Sequence, residues 1–453
     1  MKVHLIAVGG SAMHNLAIAL HKKGIIITGS DDEIVDPAKG NLQRYGLLPA
    51  SDGWDTSRIT KDLDAVILGM HARLDNPELK RAQELGIRIY SYPEYLYEQT
   101  KNKTRVVIAG SHGKTTITAM ILHVLKYHKK NFDYLAGAAL EGFETSLKLS
   151  DDAPIAIFEG DEYLASALDR RPKFLLYKPD IALISGVAWD HINVFPTYRS
   201  YVEQFENFVK ELPNTGSLVY CNEDEEVKKL ASMAAYGVKK IPYNTLDNFV
   251  KDGVTYLPQT PKGALRLEVF GKHNLLNMGG AKQVCLLLGI SESEFAEVIS
   301  GFKGAARRLQ LVARNDVCTI YWDFAHSPSK LIATIQAVKE QFPSRKLVAC
   351  MELHTFSSLT KEFLKEYKDT MDKADVRKVY FNPHVLEHKR LAAISAEEVK
   401  SYFGGSVEVY TDSVKMIDSL KQIDWKNTNL LMMSSGNFDG VDVKNFAKEL
   451  INK

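Results

Sequence analysis

Short apolar runs alternate with helix-like segments along most of the chain, and this alternation is the feature that most restricts its fold. VHLIAV (residues 3–8) precedes the helix-like AMHNLAIALHKKG, and IIITGSDD (25–32) follows it. The same order recurs around TRVVIAG (104–110) and CTIYWDF (318–324). Buried strands that alternate with helices form βαβ units and therefore parallel sheets. The sequence predicts an α/β protein with mainly parallel sheets.

Two restarts of this alternation predict three domains. The chain has 453 residues, and a domain typically takes about 150. One restart is the strand that begins near Thr104, and the other follows the Gly/Ala/Arg-rich stretch at 301–310. We therefore expect domains at 1–103, 104–310 and 311–453.

Charge and cysteine content exclude several classes of protein. Lys+Arg 57 against Asp+Glu 56 leave a net charge of +1, so no basic field favours nucleic acid. The cysteines Cys221, Cys285, Cys318 and Cys350 never form C-x-x-C, which predicts reduced core residues. No run approaches the roughly 18 apolar residues of a membrane-spanning helix. We expect a cytoplasmic protein that binds neither nucleic acid nor membranes.

A glycine-rich segment between a predicted strand and a predicted helix has the composition of a phosphate-binding loop. It reads Gly110-Ser111-His112-Gly113-Lys114-Thr115-Thr116. Phosphate binding needs glycines that let the backbone approach, N–H groups at a helix N-terminus, a lysine and a hydroxyl for Mg²⁺. The spacing is the shorter G-x-x-G-K-T, because Ile108 stands where the usual first glycine would be. We expect this loop to bind a triphosphate.

Polar side chains follow two further predicted strands. Glu159 follows PIAIF, and Asp190-His191 come soon after IALISGV. Ligands gather beyond the carboxyl ends of parallel strands, so these side chains and the loop should converge. A carboxylate, a threonine hydroxyl and an imidazole beside a triphosphate can hold Mg²⁺. The predicted metal ligands are Thr115, Glu159 and His191, although Glu159 by itself also fits a solvated acidic turn.

Together these pieces resemble the Mur ligase family, which are ATP-dependent amide-bond ligases of peptidoglycan metabolism, and the resemblance spans essentially the whole chain. E-G-D-E (159–162) and D-H (190–191) resemble the family's magnesium motifs, and G-K-H-N-L-L-N (271–277) its adenine-binding segment. Arg307-Arg308 and D-F-A-H-S-P (323–328) resemble two further motifs. The resemblance implies a Rossmann-like N-terminal domain, a P-loop-type central ATPase domain and a Rossmann-like C-terminal domain.

The resemblance also implies roles for individual residues. His273 would pack on adenine while Asn277 reads its edge, Arg308 would reach the γ-phosphate, and Asp323 would contact ribose. The implied ATP-binding residues are Gly110, Ser111, His112, Gly113, Lys114, Thr115, Thr116, His273, Asn277, Arg308 and Asp323. The implied catalytic residues are Lys114, Glu159, His191, Arg308 and His326. ATP and Mg²⁺ are the implied cofactors.

The N-terminal domain would hold a UDP-muramoyl substrate. AVGGSAM (7–13) resembles the family's substrate-phosphate turn, and G-S-D (29–31) the end of its second strand. The implied contacts are Gly10, Ser11, Met13, Ser30, Asp31 and His71. Ala7, His14 and Asn15 depart from the family, in which glycine is usual. N-P-E (76–78) is typical of ligases that act directly on UDP-N-acetylmuramate.

Two acceptors remain open within that subgroup. One member adds L-alanine, and another adds a recycled tripeptide, L-Ala-γ-D-Glu-meso-diaminopimelate. D-R-R-P-K-F (169–174), S-S-G-N-F-D-G (434–440) and the short 135–150 region favour the tripeptide. His354 resembles the P-H-R segment of the alanine-adding enzyme, with Thr355 in place of arginine. We expect the tripeptide ligase of peptidoglycan recycling, as a monomer or weak dimer, with L-alanine ligation in cell wall synthesis as the alternative.

Other interpretations explain fewer residues. A dehydrogenase is disfavoured because the first turn lacks G-x-G-x-x-G. A nucleotide switch accounts for the loop but leaves without a shared purpose four residues, Glu159, His191, Arg308 and Asp323. Glu206 stands near the position of a carbamylated lysine in several Mur ligases. We hypothesise that its fixed carboxylate supplies the negative charge that carbamylation supplies elsewhere.

Overall fold

The computed structural model describes residues 1–70, 72–189, 194–260 and 263–452 of the chain. The chain folds into two compact units, unit 1 with Met1–Asn244 and Gly280–Ile290, and unit 2 with Thr245–Gly279 and Ser291–Lys453. The sheets are predominantly parallel, which confirms the predicted α/β class. No helix among the described residues is long and apolar enough to cross a membrane.

The first sheet of unit 1 is parallel, with strand order β2-β1-β3-β4. Its strands are β1 (Lys2–Ile6), β2 (Ile26–Ser30), β3 (Ala65–Leu68) and β4 (Ile89–Ser91). The associated helices are α1 (Ser11–Lys22), α2 (Ala38–Arg44), α3 (Pro77–Glu84) and α4 (Tyr92–Thr100), with a 3₁₀ turn at Thr56–Arg58. Ile6 is in register with both Ser30 and Leu68, so three strands end level and the turn after β1 lies beside Ser30.

A fully buried polar cluster lies within this part of unit 1. His4, Ser30 and Glu78 are each 0% exposed. His4 Nε2 lies 3.2 Å from Glu78 Oε2, the Ser30 hydroxyl donates to the same carboxylate, and Asp55 N–H donates to Oε1 at 2.8 Å. Burial alone would raise the pKa of Glu78, but these contacts bring it below its usual value. The carboxylate is therefore ionised and ties β1, β2 and α3 together.

We expect Glu78→Ala to destabilise the protein by about 3 kcal/mol at neutral pH, because it leaves buried partners without an acceptor. Since folding lowers the pKa of Glu78, this contribution is present above the unfolded value of about 4.3 and is lost as the pH falls through the folded value. Thermal unfolding at neutral and acidic pH measures it. Glu84→Ala is the matched control, because Glu84 forms an exposed ion pair with Arg81 on the same helix. Equal melting temperatures for the two variants would contradict the prediction.

The second sheet of unit 1 has strand order β11-β10-β9-β5-β8-β6-β7, and its pairs are parallel except β6 with β7. The strands are β5 (Thr104–Ala109), β6 (Phe132–Leu135), β7 (Leu147–Lys148), β8 (Ile155–Glu159), β9 (Ile181–Ile184), β10 (Ser217–Cys221) and β11 (Lys239–Tyr243). The helices are α5 (Lys114–Tyr127), α6 (Lys173–Leu176), α7 (Tyr198–Lys210) and α8 (Glu225–Ser232). Because β5 lies between β8 and β9, the loop after β5 is flanked by the segments that follow both neighbours.

Unit 2 contains a small antiparallel sheet and a larger, mainly parallel one. The small sheet has β12 (Phe249–Lys251), β13 (Val254–Thr260) and β14 (Gly263–Leu267). The larger sheet has β15 (Gln310–Arg314), β16 (Cys318–Asp323), β17 (Lys346–Leu353), β18 (Val376–Phe381), β19 (Glu408–Tyr410) and β20 (Thr428–Met433). Its order is β15-β16-β20-β17-β18-β19, and β15 pairs antiparallel with β16. The carboxyl ends of β16, β20 and β17 are therefore neighbours.

Helices and short 3₁₀ turns complete unit 2. The helices are α9 (Lys272–Leu287), whose first half lies in this unit, α10 (Glu292–Ile299), α11 (Pro328–Gln341), α12 (Lys361–Leu364), α13 (Pro383–His388), α14 (Ala396–Tyr402), α15 (Ser413–Lys421) and α16 (Val443–Ile451). The 3₁₀ turns are Ser357–Leu359 and Lys365–Tyr367. All four cysteines of the chain are buried and free, as predicted.

Candidate active site

The glycine-rich loop connects β5 to α5 through two backbone conformations that favour glycine. Gly110 has φ 123° and Gly113 has φ 77°, both in the left-handed region. A Cβ on Gly110 would lie 2.2 Å from Ser185 Oγ, so a larger residue would collide with the segment after β9. The strand, turn and helix predicted from the sequence are all present. They direct the first N–H groups of α5 toward the loop, as anion binding requires.

Side chains of the loop are anchored in unit 1. Ser111 is 4% exposed, and its hydroxyl lies 2.8 Å from the Tyr201 hydroxyl on α7. Ala188 N–H donates to Ser111 Oγ at 2.9 Å, and the His112 carbonyl accepts from the Ser185 hydroxyl. Thr116 is buried in the first turn of α5. The loop is therefore held in place by the segment after β9 and by α7.

Lys114 is held by a carboxylate that follows β8. Its Nζ lies 2.6 Å from Glu162 Oε2 and donates to the Gly110 carbonyl at 2.6 Å. The Glu162 side chain is 1% exposed, and the Tyr201 hydroxyl donates to its other oxygen at 3.1 Å. Burial alone would lower the pKa of Lys114, but Glu162, Asp161 and Glu159 raise it above its usual value. Lys114 is therefore a fixed cation at the base of the loop.

Thr115 and Glu159 form the oxygen pair that the sequence predicts for Mg²⁺. The Thr115 hydroxyl donates to Glu159 Oε1 at 2.7 Å, and Gly137 N–H donates to Oε2 at 2.6 Å. Mg²⁺ prefers oxygen ligands and usually keeps several waters and substrate phosphates. A hydroxyl and a carboxylate fit that donor set, although no group of three His, Cys, Asp or Glu suited to a metal occurs in the described residues.

Some of the residues of the predicted substrate turn lie together in unit 1. Asp31 Oδ2 accepts from Gly9 N–H at 2.7 Å, which links the first turn to the end of β2. Gly10 precedes α1, where Ser11 is exposed and Met13 is buried. The Ser30 hydroxyl is directed toward Glu78 within the buried cluster described above. His71 and His191, both predicted site residues, lie outside the described residues.

Two departures from the family pattern have structural consequences in this turn. Ala7 has φ 67°, a region that glycine adopts without steric cost. His14 is buried, and its Nδ1 lies 3.0 Å from the Gly10 carbonyl. Burial lowers the pKa of His14, and the Gly10 carbonyl only partly offsets this. A neutral imidazole therefore occupies the start of α1.

The predicted residues of unit 2 form a second group. Asp323 is buried and accepts hydrogen bonds from Leu309 N–H and, at 2.6 Å, from Ala325 N–H. The Arg308 guanidinium lies 4.6 Å from the centre of the Phe324 ring. Both side chains therefore lie at the carboxyl end of β16, the carboxylate on the backbone of Leu309 and the guanidinium over Phe324.

Two histidines and one asparagine complete this second group. His326 Nδ1 lies 2.8 Å from the Phe324 carbonyl. Asn277 is buried on α9. Burial lowers the pKa of His273 at the start of α9, and the charge of Asp323 opposes the change. The lowered pKa favours the neutral form of His273.

Sequence reasoning did not identify Glu162 and Tyr201 as site residues. Glu162 was visible as the last residue of E-G-D-E. Tyr201 has no local signal, because only the packing of α7 brings its hydroxyl to the loop. Glu206, on the same helix, forms an ion pair with Arg199 at 2.6 Å and is 12% exposed. That the Glu206 carboxylate supplies the negative charge of a carbamylated lysine stays a hypothesis.

Family models match nearly the whole chain in three successive parts. Residues 2–104 match "Mur ligase family, catalytic domain", residues 108–285 match "Mur ligase middle domain", and residues 307–436 match "Mur ligase, glutamate ligase domain". The UDP-N-acetylmuramate–L-alanine ligase of Paenarthrobacter aurescens (strain TC1) is 30% identical over 383 residues, which cover 83% of this chain and 81% of that protein.

Solved structures with the same fold include both types of enzyme considered above. A murein peptide ligase from Psychrobacter arcticus 273-4 is similar with a TM-score of 0.66 and 21% identity, over 100% of this chain and 99% of that chain. A UDP-N-acetylmuramate–alanine ligase from Thermotoga maritima is similar with a TM-score of 0.70 and 22% identity, over 100% of this chain and 98% of that chain. At these identities the similarity establishes the three-domain fold.

Proposed function

The chain belongs to the Mur ligase family, and from that premise we propose that it joins L-Ala-γ-D-Glu-meso-diaminopimelate to UDP-N-acetylmuramate. Members of the family are ATP-dependent amide-bond ligases, so the protein is an enzyme of that class. The identity of the acceptor amine, the identity of the sugar nucleotide and the use of Mg²⁺ are parts of this proposal. A role in peptidoglycan recycling in the cytoplasm follows from these substrates.

The proposed reaction activates a carboxylate before the amine attacks. The lactyl carboxylate of UDP-N-acetylmuramate attacks the γ-phosphate of ATP, which gives an acyl phosphate and ADP. Catalysis of phosphoryl transfer depends mainly on positioning and on stabilising charge. Lys114 and Arg308 supply that charge, and Mg²⁺, when bound at Thr115 and Glu159, adds positive charge at the phosphate oxygens. The amine then displaces phosphate from the acyl carbon.

The proposal divides the work among the three predicted domains. Residues 1–103 bind the UDP-muramoyl group, with the turn around Gly10 and Asp31 at the substrate phosphates. Residues 104–310 bind ATP, with Glu162 holding Lys114 in place before nucleotide enters. Residues 311–453 bind the amine.

The choice of the tripeptide is carried by one observation at the carboxyl end of β17. The segment there resembles P-H-R but has Thr355 in place of arginine, and the buried carboxylate of Glu352 lies 3.6 Å from His354. Free L-alanine has a carboxylate next to its amine, which needs a cationic partner when desolvated. In the tripeptide the same carboxyl group is part of a neutral amide. Thr355 in place of the arginine removes a cationic partner for the carboxylate of free alanine, and this supports the peptide as the acceptor.

The segment that resembles the tripeptide enzyme is also well integrated into unit 1. Lys173 Nζ lies 2.6 Å from Asp161 Oδ2, and Asp169 forms an ion pair with Arg171 at 2.6 Å. Phe174 is fully buried and packs against Phe208, with ring centres 4.7 Å apart. This segment therefore anchors the turn that carries Glu162.

L-alanine is the second candidate acceptor. The 30% identical relative is named as an L-alanine ligase, and His354 resembles a residue of that enzyme's P-H-R segment.

The decisive experiment compares the two amines with ATP, Mg²⁺ and UDP-N-acetylmuramate present in each assay. We expect phosphate release to require both the UDP-sugar and an amine, and kcat/KM to be at least about tenfold higher for the tripeptide than for L-alanine. Mass spectrometry of the product identifies the amide. Omitting the UDP-sugar is the control. Faster turnover with L-alanine would replace the proposal with the second candidate.

A further inference from the structure

A buried carboxylate lies beside a half-exposed histidine at the carboxyl end of β17. Glu352 is 3% exposed, and its Oε1 lies 3.6 Å from His354 Nδ1. Its other oxygen accepts from the Ser434 hydroxyl and, at 2.8 Å, from Phe438 N–H. The His354 side chain is 41% exposed. Glu352 is thus held by the segment after β20 and faces a histidine that is accessible to solvent.

The charge of Glu352 favours a proton on the nitrogen of His354 that faces it. Burial alone would raise the pKa of Glu352, but its contacts with His354, Ser434 and Phe438 N–H lower it. An ionised carboxylate accepts hydrogen bonds and cannot donate, so it favours the tautomer of His354 with hydrogen on Nδ1. In a neutral imidazole the other nitrogen, Nε2, is then free of hydrogen and can accept one.

The backbone at Gly436 passes very close to the side chains of Glu352 and His354. A Cβ on Gly436 would lie 2.8 Å from both Glu352 Oε2 and His354 Nδ1, so glycine lets the chain pass directly over the pair. Arg307 donates to the carbonyls of Ser434, at 2.6 Å, and Gly436. The segment after β20 is therefore fixed both by Glu352 and by Arg307. In parallel sheets, this edge is where ligands bind.

We propose that Glu352 is a positioning residue that holds His354 as the group that accepts the proton of the incoming amine. The inference rests on the proposed function and adds the residues that carry its second step. The nitrogen lone pair bonds to the acyl carbon, the bond from that carbon to the phosphate oxygen breaks, and phosphate leaves with the electron pair. The nitrogen loses one proton, which Nε2 of His354 receives. Imidazoles suit this task because their ordinary pKa lies near neutral pH.

The two steps of the reaction can be measured separately. Positional isotope exchange in labelled ATP, with UDP-N-acetylmuramate and without amine, reports acyl-phosphate formation. Amide formation is then followed with the tripeptide. We expect His354→Gln to lower amide formation by about 10²-fold and Glu352→Gln by about tenfold or more, with isotope exchange changed less than about twofold. Glu408→Gln, which removes the carboxylate of an ion pair with Lys378 in the same sheet, is the matched control.

A spectroscopic readout separates positioning from a structural role. Nitrogen NMR of labelled histidine, assigned through His354→Gln, should show hydrogen on Nδ1 in the wild type and a mixture of tautomers in Glu352→Gln. Unchanged tautomers, equal loss of both steps, or normal amide formation in either variant would overturn the inference and leave the ligase proposal intact. Absence of isotope exchange in the wild type would instead refute the proposed function and this inference with it.

Discussion

Lys114→Ala should reduce ATP-dependent ligation by about 10³-fold, the loss expected when a charged group that stabilises phosphoryl transfer is removed. The Lys114 ammonium is fixed between Gly110 and Glu162 at the base of the loop. Binding of UDP-N-acetylmuramate should be largely unchanged, because the proposed sugar site involves other residues. Phosphate release measures the first effect and calorimetric titration measures the second.

The single substitution also removes the partner of a buried carboxylate. Glu162 is almost fully buried, and an uncompensated buried charge costs about 3–5 kcal/mol. The double variant Lys114→Ala/Glu162→Gln removes that cost and should fold normally while remaining inactive. Lys126→Ala is the matched control, because Lys126 lies on the same helix and binds the Gly142 carbonyl on an exposed surface. Near-wild-type ligation by a folded double variant would contradict the role of Lys114.

Glu159→Gln should weaken the binding of Mg²⁺ and lower kcat by about 10²-fold at ordinary Mg²⁺ concentrations. Glutamine keeps an oxygen that can accept from Gly137 N–H, so the fold around β8 should be preserved. It removes the negative charge that, together with the Thr115 hydroxyl, fits a magnesium site. A titration of activity with Mg²⁺ at saturating ATP should show a midpoint shifted to higher concentration, with partial recovery when Mg²⁺ is raised.

Glu144→Gln is the control for this second variant. Glu144 forms an exposed ion pair with Lys22 at 2.8 Å in the same unit, and it has no proposed role in catalysis. Its titration with Mg²⁺ should match that of the wild type. An unchanged midpoint in Glu159→Gln would show that Glu159 does not contribute to metal binding.

Local patterns predicted the strands and helices that carry the loop. TRVVIAG (104–110) forms Thr104–Ala109, and the helix after the loop runs from Lys114 to Tyr127. Apolar β-branched runs bounded by glycine favour buried strands, and their signal needs no long-range information. The strand expected at 3–8 ends at Ile6 because Ala7 turns into the left-handed region.

The antiparallel sheet β12-β13-β14 was not predicted. Phe249–Lys251 is exposed throughout, so it lacks the apolar run that identifies a buried strand. Pairing with β13, rather than composition, makes it a strand.

Residue types and their order were enough to indicate the family, the phosphate loop and the Thr115–Glu159 pair, because each depends on short motifs at strand ends. Tertiary packing alone decided which distant groups meet. Lys114 and Glu162 are 48 positions apart, Ser111 and Tyr201 are 90 apart, and Glu352 and Ser434 are 82 apart. The physical reason is that local periodicity specifies which face of an element is buried, whereas the order of strands in a sheet determines which carboxyl ends become neighbours.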